Sequence, residues 1–449
     1  MSTPHARHRH RHHRPRRTAL AIGLLACLPL SSAHAWRLDW IAELGLEHND
    51  NVTLSETDPV SENILRPSLG FLLSQEGATV QASARGFLEY RDYLGGTYSS
   101  EFLGELDGRV NWVIAPERLH FSVQDRLSIQ PVSQAAPDSP NNRQQTNVFA
   151  AGPTFFFRFS PTLSGQVEAR WIDTYAEESV GFNTQRISGA VRVIKDLGAT
   201  RQVSANIQAQ TVDVDNNALA PDYDRYDVFG RYSQRLSHVD VLLDLGYSAL
   251  AFDEGGSRTS PLVRGVLGWR PNEGHAFTLI AQRRFSDTAE GLIEPGGGDG
   301  TVPSLPPIVI IGDNDAINAL SYEETSLELG YGHTGARGTF GVAPFYRKLD
   351  YVDVGDEPGP DQTGRGLLGY WTWLLRPTWS LAGDARYERL TFDNVDVDID
   401  TRTASIWLRK QWTRNWSGRV GYSRYERENR TLDGNADQNV YYMAVTYTR

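Results

Sequence analysis

The chain has 449 residues, a formal charge of −11, 40% hydrophobic and 22% charged residues, with a mean hydropathy of −0.43. A helical membrane protein needs apolar runs of roughly 20 residues, and the uncharged run Gly366 to Leu375 is too short to be one. Cys27 is the only cysteine, so a disulfide scaffold is excluded, and the acidic balance offers no basic footprint for nucleic acid.

Residues 1–35 read as a secretory signal peptide. Arg7, Arg9, Arg11, Arg14, Arg16 and Arg17 precede an apolar stretch from Thr18 to Leu30, and Ala33-His34-Ala35 supplies the small-residue exit. His5, His8, His10, His12 and His13 resemble a metal tract but belong to the discarded basic segment. Residues 36–449 are then the mature chain, and no plug domain is expected ahead of its first strand.

From Arg37 onward the apolar residues recur every second position. Leu38, Trp40, Ala42, Leu44 and Leu46 share one face, against Arg37, Asp39, Glu43, Gly45 and Glu47 on the other. That period of 2 predicts a strand with one apolar face. Val80, Ala82, Ala84 and Leu88 repeat it, as do Leu106, Val110 and Trp112. In the next segment Leu119, Phe121, Val123, Leu127 and Ile129 carry the apolar face and Asp125 interrupts it. Val203, Ala205, Ile207 and Ala209 oppose Ser204, Asn206, Gln208 and Gln210, and Trp379, Leu381, Ala385 and Tyr387 oppose Asp384, Arg386 and Glu388.

About twenty such segments, each of roughly 10–14 residues, fill the mature chain. Their connections alternate between short turns (Gln75-Glu76-Gly77, Ala115 to Arg118, Ser237-His238, Arg376-Pro377-Thr378) and longer polar loops (Pro131–Gln144, Asp213–Asp224, Asp350–Gln362, Asp393–Asp400). Trp112, Phe159, Trp269, Trp373, Trp379, Trp412 and Trp416 sit beside the short turns, as an interfacial girdle would. Sandwich or propeller strands run about 5–6 residues, too short for this pattern. The fold expected is therefore all-β, a single antiparallel up-and-down barrel of about twenty strands, within a range of roughly 16 to 22, in the outer membrane of a Gram-negative cell. Its turns are periplasmic and its loops external.

One connection departs from the rest. Ser286 to Ser321 carries Gly296-Gly297-Gly298 and the apolar run Ile308, Val309, Ile310 and Ile311. Connections this long are usually functional, and the apolar run needs burial, so the insert is expected to fold into the mouth and constrict it.

Four motifs stand out: Glu47-His48-Asn49-Asp50-Asn51-Val52 after the first strand, Tyr90-Arg91-Asp92-Tyr93, Trp112 with Pro116, Arg118 and Leu119, and Asn142 to Asn147 leading to Gly152-Pro153. Together they resemble a family of β-barrel porins associated with exopolysaccharide gene clusters. The resemblance implies a barrel that assists polysaccharide export without catalytic residues. The end departs from the aromatic finish common in barrels, reading Val445-Thr446-Tyr447-Thr448-Arg449.

No catalytic, cofactor or metal residues are expected. His48, His120, His238, His275 and His333 are scattered, and Gly330 to Gly335 matches G-x-G-x-x-G but precedes a turn and a strand where a nucleotide site needs a helix. Asp396, Asp398 and Asp400 read as an ordinary acidic loop in preference to a calcium site. By parity Arg85, Glu105, Arg126, Arg170, Gln208, Arg284, Asp384 and Arg386 face the lumen. A wall of both signs suits a neutral or weakly charged hydrated solute. The expected function is a passive exopolysaccharide export channel, with a small-solute diffusion porin and a non-conducting adhesion or scaffold barrel as alternatives. Expected partners are outer-membrane lipid and lipopolysaccharide, the barrel assembly machinery, polysaccharide and periplasmic export components.

Overall fold

The computed structural model describes residues 36–293 and 320–449, apart from 135, 217–219, 254–255, 353–360, 394–396 and 431–433. The signal-peptide reading and Ile308–Ile311 therefore lie outside the described residues.

The strands are β1 Arg37–Asn49, β2 Glu62–Glu76, β3 Val80–Tyr93, β4 Glu101–Ala115 and β5 Leu119–Pro131. There follow β6 Arg143–Ser160, β7 Leu163–Ala176, β8 Thr184–Gly198, β9 Arg201–Val214 and β10 Tyr223–Arg235. Next come β11 Val239–Phe252, β12 Gly256–Asn272, β13 His275–Ser286, β14 Tyr322–Thr334 and β15 Gly338–Tyr351. The last are β16 Gln362–Arg376, β17 Trp379–Phe392, β18 Val397–Gln411, β19 Trp416–Asn429 and β20 Ala436–Thr448. One short helix, α1 (Thr288–Ile293), begins the long insert.

Each strand pairs antiparallel with its chain neighbour, and β20 returns to β1 through Ile41↔Thr448 to Asn49↔Val440. The sheet is closed, so no strand edge is left unpaired, as a hydrocarbon environment demands. Twenty strands spaced about 4.8 Å and tilted roughly 40° enclose a barrel about 40 Å wide between backbones. The seam is held on its inner side by Glu43 of β1, which accepts from Tyr442 (2.7 Å), Thr446 (2.8 Å) and Arg419 (2.6 Å). Gly45 is required there, because a Cβ would lie 2.2 Å from the Tyr442 hydroxyl oxygen. On the final strand Tyr447 packs between Trp40 (centroids 5.3 Å, tilted) and Trp416 (5.0 Å, edge-on).

One face of the wall is apolar and exposed. Leu44, Ile207, Val228, Leu245 and Val420 each expose more than half of their surface. Toward the short turns this belt ends in Trp112, Phe159, Trp269, Trp373, Trp412 and Trp416, and toward the loops in Phe102, Trp171, Tyr226, Tyr247, Tyr346 and Tyr441, all exposed. The second girdle completes the outline of a bilayer-crossing wall.

Candidate functional site: the lumen and its insert

The insert identifies the inside of the barrel. Helix α1 has six residues, about 9 Å of length, yet its segment touches strands spread from β5 to β13. Arg126 of β5 donates to the Leu292 carbonyl (3.2 Å), Arg186 of β8 to Asp287 (2.6 Å), and Arg284 of β13 to Glu290 (2.8 Å). So short a helix can reach those strands only from within the ring.

The sequence sets this docking locally. Asp287 is the N-cap residue, its Oδ1 accepting from the Glu290 amide at 3.1 Å. Its Oδ2 takes the Arg186 guanidinium and the Tyr223 hydroxyl (2.8 Å). Three positions on, Glu290 receives Arg225 as well as Arg284. Between them Ala289 and Leu292 are buried against Val148, Ala150, Ile172, Ala176 and Phe182. Two carboxylates and two apolar side chains therefore hold the start of the insert against the inner wall. Burial pushes both carboxylates upward, but the guanidinium of Arg186 at Asp287, and those of Arg225 and Arg284 at Glu290, outweigh it and hold both below the usual carboxylate range.

Register carries this inner face around the ring. Asp107 stands opposite both Arg126 and Arg85, which places Arg85 and, by alternation, Glu105 inside. Arg170 shares the face of Ile172, and Gln208 lies opposite Asp227, the ion-pair partner of Arg225. On the far side Ile280 faces Glu328, Glu328 faces Phe345, and Phe345 and Glu388 both face Gly366, which brings Asp384 and Arg386 inward. All eight residues assigned to the lumen by parity thus share one face.

They differ in surroundings. Arg126 and Arg284 belong to the insert's anchor. Arg170 is tied to the Pro153 carbonyl (2.8 Å) and Thr154 (2.8 Å), and Arg386 to Glu388 (2.7 Å). Arg85, Glu105 and Asp107 are open to water, with Arg85 and Asp107 3.7 Å apart. Beside them Phe87, cross-strand neighbour of Glu105, is 40% exposed on the inner wall. Elsewhere inner charges meet in pairs: Arg66 with Glu47 and Glu89, Arg231 with Asp244 (2.7 Å), Arg192 with Glu168 (3.0 Å), Arg347 with Glu324 (3.2 Å).

Sequence reasoning placed Arg284 and Arg126 in the lumen but missed Asp287 and Glu290, which give them a task. The signal was present: an acidic cap followed three residues later by Glu, at the exit of a strand. Two of the family-like motifs make structural contacts. Asp50 accepts from the Asn439 amide (2.7 Å) and side chain (2.6 Å), and Asn51 donates to the Asp437 carbonyl (2.9 Å), so the two close the seam at the loop end. Asn142 organises its own loop through Ser133 and Pro137, and at Gly152 a Cβ would lie 1.9 Å from the Ala169 carbonyl oxygen. Asp400 is taken up by Arg389, Arg430 and Tyr387, and the described residues hold no cluster of three metal-ligating groups.

A closed, even-stranded sheet with an apolar exterior between two aromatic girdles and a polar interior is an outer-membrane β-barrel. No family model matches the chain, and no curated protein does. Among solved structures it is similar to a mutant of the ferric enterobactin receptor PfeA of Pseudomonas aeruginosa, at 11% identity over 91% of this chain and 80% of that one, TM-score 0.45. It is also similar to the FrpB iron transporter of Neisseria meningitidis (8%, 92% and 81%, TM-score 0.47) and the siderophore receptor PirA of Pseudomonas aeruginosa (12%, 92% and 80%, TM-score 0.43). The likeness is one of fold alone.

Proposed function

We propose that the barrel is a passive, non-catalytic channel for hydrated carbohydrate, with an exopolysaccharide in export as its substrate class. The observation that carries this reading is the exposed inner ring of Phe87 beside Glu105 and the Arg85–Asp107 pair. A pyranose offers a C–H face to an aromatic ring and hydroxyls to flanking charges, and this patch presents both. Paired charges around the rest of the wall remove a strong preference for either ion. A small-solute porin would share the mixed wall but would not need the ring.

The test is reversible blockade of single-channel current by neutral oligosaccharides. Phe87→Ala should shorten the blockade several-fold at unchanged ion conductance, and Phe87→Trp should restore it. Blockade indifferent to both substitutions removes the carbohydrate reading and leaves the small-solute porin.

A further inference from the structure

The outer face carries a row of bases that the lumen account does not use. On five consecutive strands, the first outward position beyond the apolar belt on the loop side is basic: Lys348 on β15, Arg365 on β16, Arg389 on β17, Arg402 on β18 and Arg424 on β19. Each stands two residues beyond a belt residue, respectively Tyr346, Leu367, Tyr387, Ala404 and Tyr422. The equivalent positions on the opposite arc include Asp92 of β3, Asp173 of β7 and Asp224 of β10. The row is therefore a local feature and not a property of the whole rim.

Lys348, Arg389 and Arg424 each meet an acid, Asp350, Asp400 and Glu426 respectively, so the unmet charge of the row lies at Arg365 and Arg402. Arg365 and Arg389 are direct cross-strand partners, an arrangement of like charges that destabilises a sheet unless something neutralises it. Arg389 is held by Asp400 at 2.7 Å, but Arg365 is exposed and has no acidic partner among the described residues. Arg402, two strands over on β18, is half-exposed and makes only long ion pairs, 3.7 Å to Glu426 and 3.8 Å to Glu428. Asp400 stands opposite Arg389 and is taken up by it, whereas Glu426 and Glu428 sit further toward the loops, which leaves Arg365 and Arg402 at the depth of headgroup phosphates.

We propose that the β15–β19 edge is a binding site for a phosphorylated glycolipid of the outer leaflet, its phosphates held by Arg365 and Arg402 on either side of the Arg389–Asp400 pair. Arginine suits this role because its planar fork binds phosphate oxygens in pairs. The acyl chains would lie on the belt directly below, beside Leu367 and Ile406, both exposed. The inference rests on the outer-membrane placement and not on what passes through the lumen.

The test uses the full barrel, refolded in detergent, titrated with bisphosphorylated lipid A, dephosphorylated lipid A and inorganic phosphate. Wild type should bind the bisphosphorylated lipid at least tenfold tighter than the dephosphorylated one, and millimolar inorganic phosphate should not displace it. Arg365→Ser should lose most of that preference, Arg365→Lys should keep part of it, and Arg283→Ser, outside the row, should leave it unchanged. If Arg365→Ser fails to fold, Arg402→Ser takes its place. Equal binding of the two lipids, or equal preference in the Ser variants, overturns the site. Displacement by inorganic phosphate reduces it to a general anion site and also overturns the proposal. Ion conductance measured on the same samples reports the channel separately, so the two readings fail independently.

Discussion

Neutralising Asp287 should release the insert without unfolding the barrel. Asp287→Asn keeps a helix cap of similar strength but removes the charge facing Arg186, whose side chain is 1% exposed. Breaking a buried pair by removing one partner costs about 3–5 kcal/mol, because the remaining charge stays buried without compensation. Here the cost falls on the docked insert, since the strand ladder does not depend on it. Leu292, 4% exposed in the docked segment, provides the readout as Leu292→Cys, once Cys27, the only native cysteine, has been replaced. Every 1.4 kcal/mol is tenfold, so thiol labelling should accelerate roughly 150- to 4,000-fold over the same Cys variant with Asp287 intact. Pairing the change with Arg186→Met should return most of the protection, because no uncompensated cation is then left behind. Labelling within threefold of the parent would refute the latch, as would an acceleration that Arg186→Met fails to reverse.

Further expectations follow from the same geometry. Both latch carboxylates are depressed in the folded state, so their stabilisation is fully present above about pH 4.5 and is lost as the pH falls through their lowered values; protection of a thiol at Leu292→Cys should be flat from pH 8 to 5 and should fall only in stronger acid, and a loss of protection between pH 8 and 5 would refute it. Ile207, 58% exposed on the outer wall, should lose roughly 2–4 kcal/mol of folding stability in lipid when changed to Arg, whereas Gln208→Arg should be tolerated; equal losses in urea titrations would mean the register is wrong. Cysteines at Asp138 or Glu178 should be labelled by a membrane-impermeant reagent on intact cells, and those at Glu117 or Glu273 should not; the reverse would invert the topology. Replacing residues 294–316 by a short Gly/Ser linker, which spares the Asp287–Leu292 anchor, should preserve heat-stable folding and raise conductance, and an unchanged conductance would show that this part of the insert is no constriction.

The fold was legible because a barrel wall repeats one physical rule. Alternation at Leu38 to Leu46 or Val203 to Ala209 states which side meets lipid, and the turns beside Trp112 or Trp379 state where the wall ends. Interruptions were harder to place. Asp125 breaks the outer face, and only the structure supplies its partner, Asn147 at 2.7 Å on the next strand. The lumen was legible as a face but not as a site. Parity puts Arg126 and Arg284 inside, yet nothing local says that a helix between them brings Asp287 and Glu290 to Arg186 and Arg225, residues of strands far off in the chain. The bases of β15–β19 stayed unread for a similar reason, since each belongs to a separate strand and only closure of the sheet sets them side by side.

The channel reading is tested most directly by single-channel recording of the purified barrel in a planar bilayer with a salt gradient, before and after addition of a neutral oligosaccharide. The paired inner wall predicts a steady conductance with a reversal potential close to zero, and reversible current blocks whose frequency rises with sugar concentration. A correctly folded barrel that passes no current, or one that selects a single ion and ignores the sugar, would contradict it.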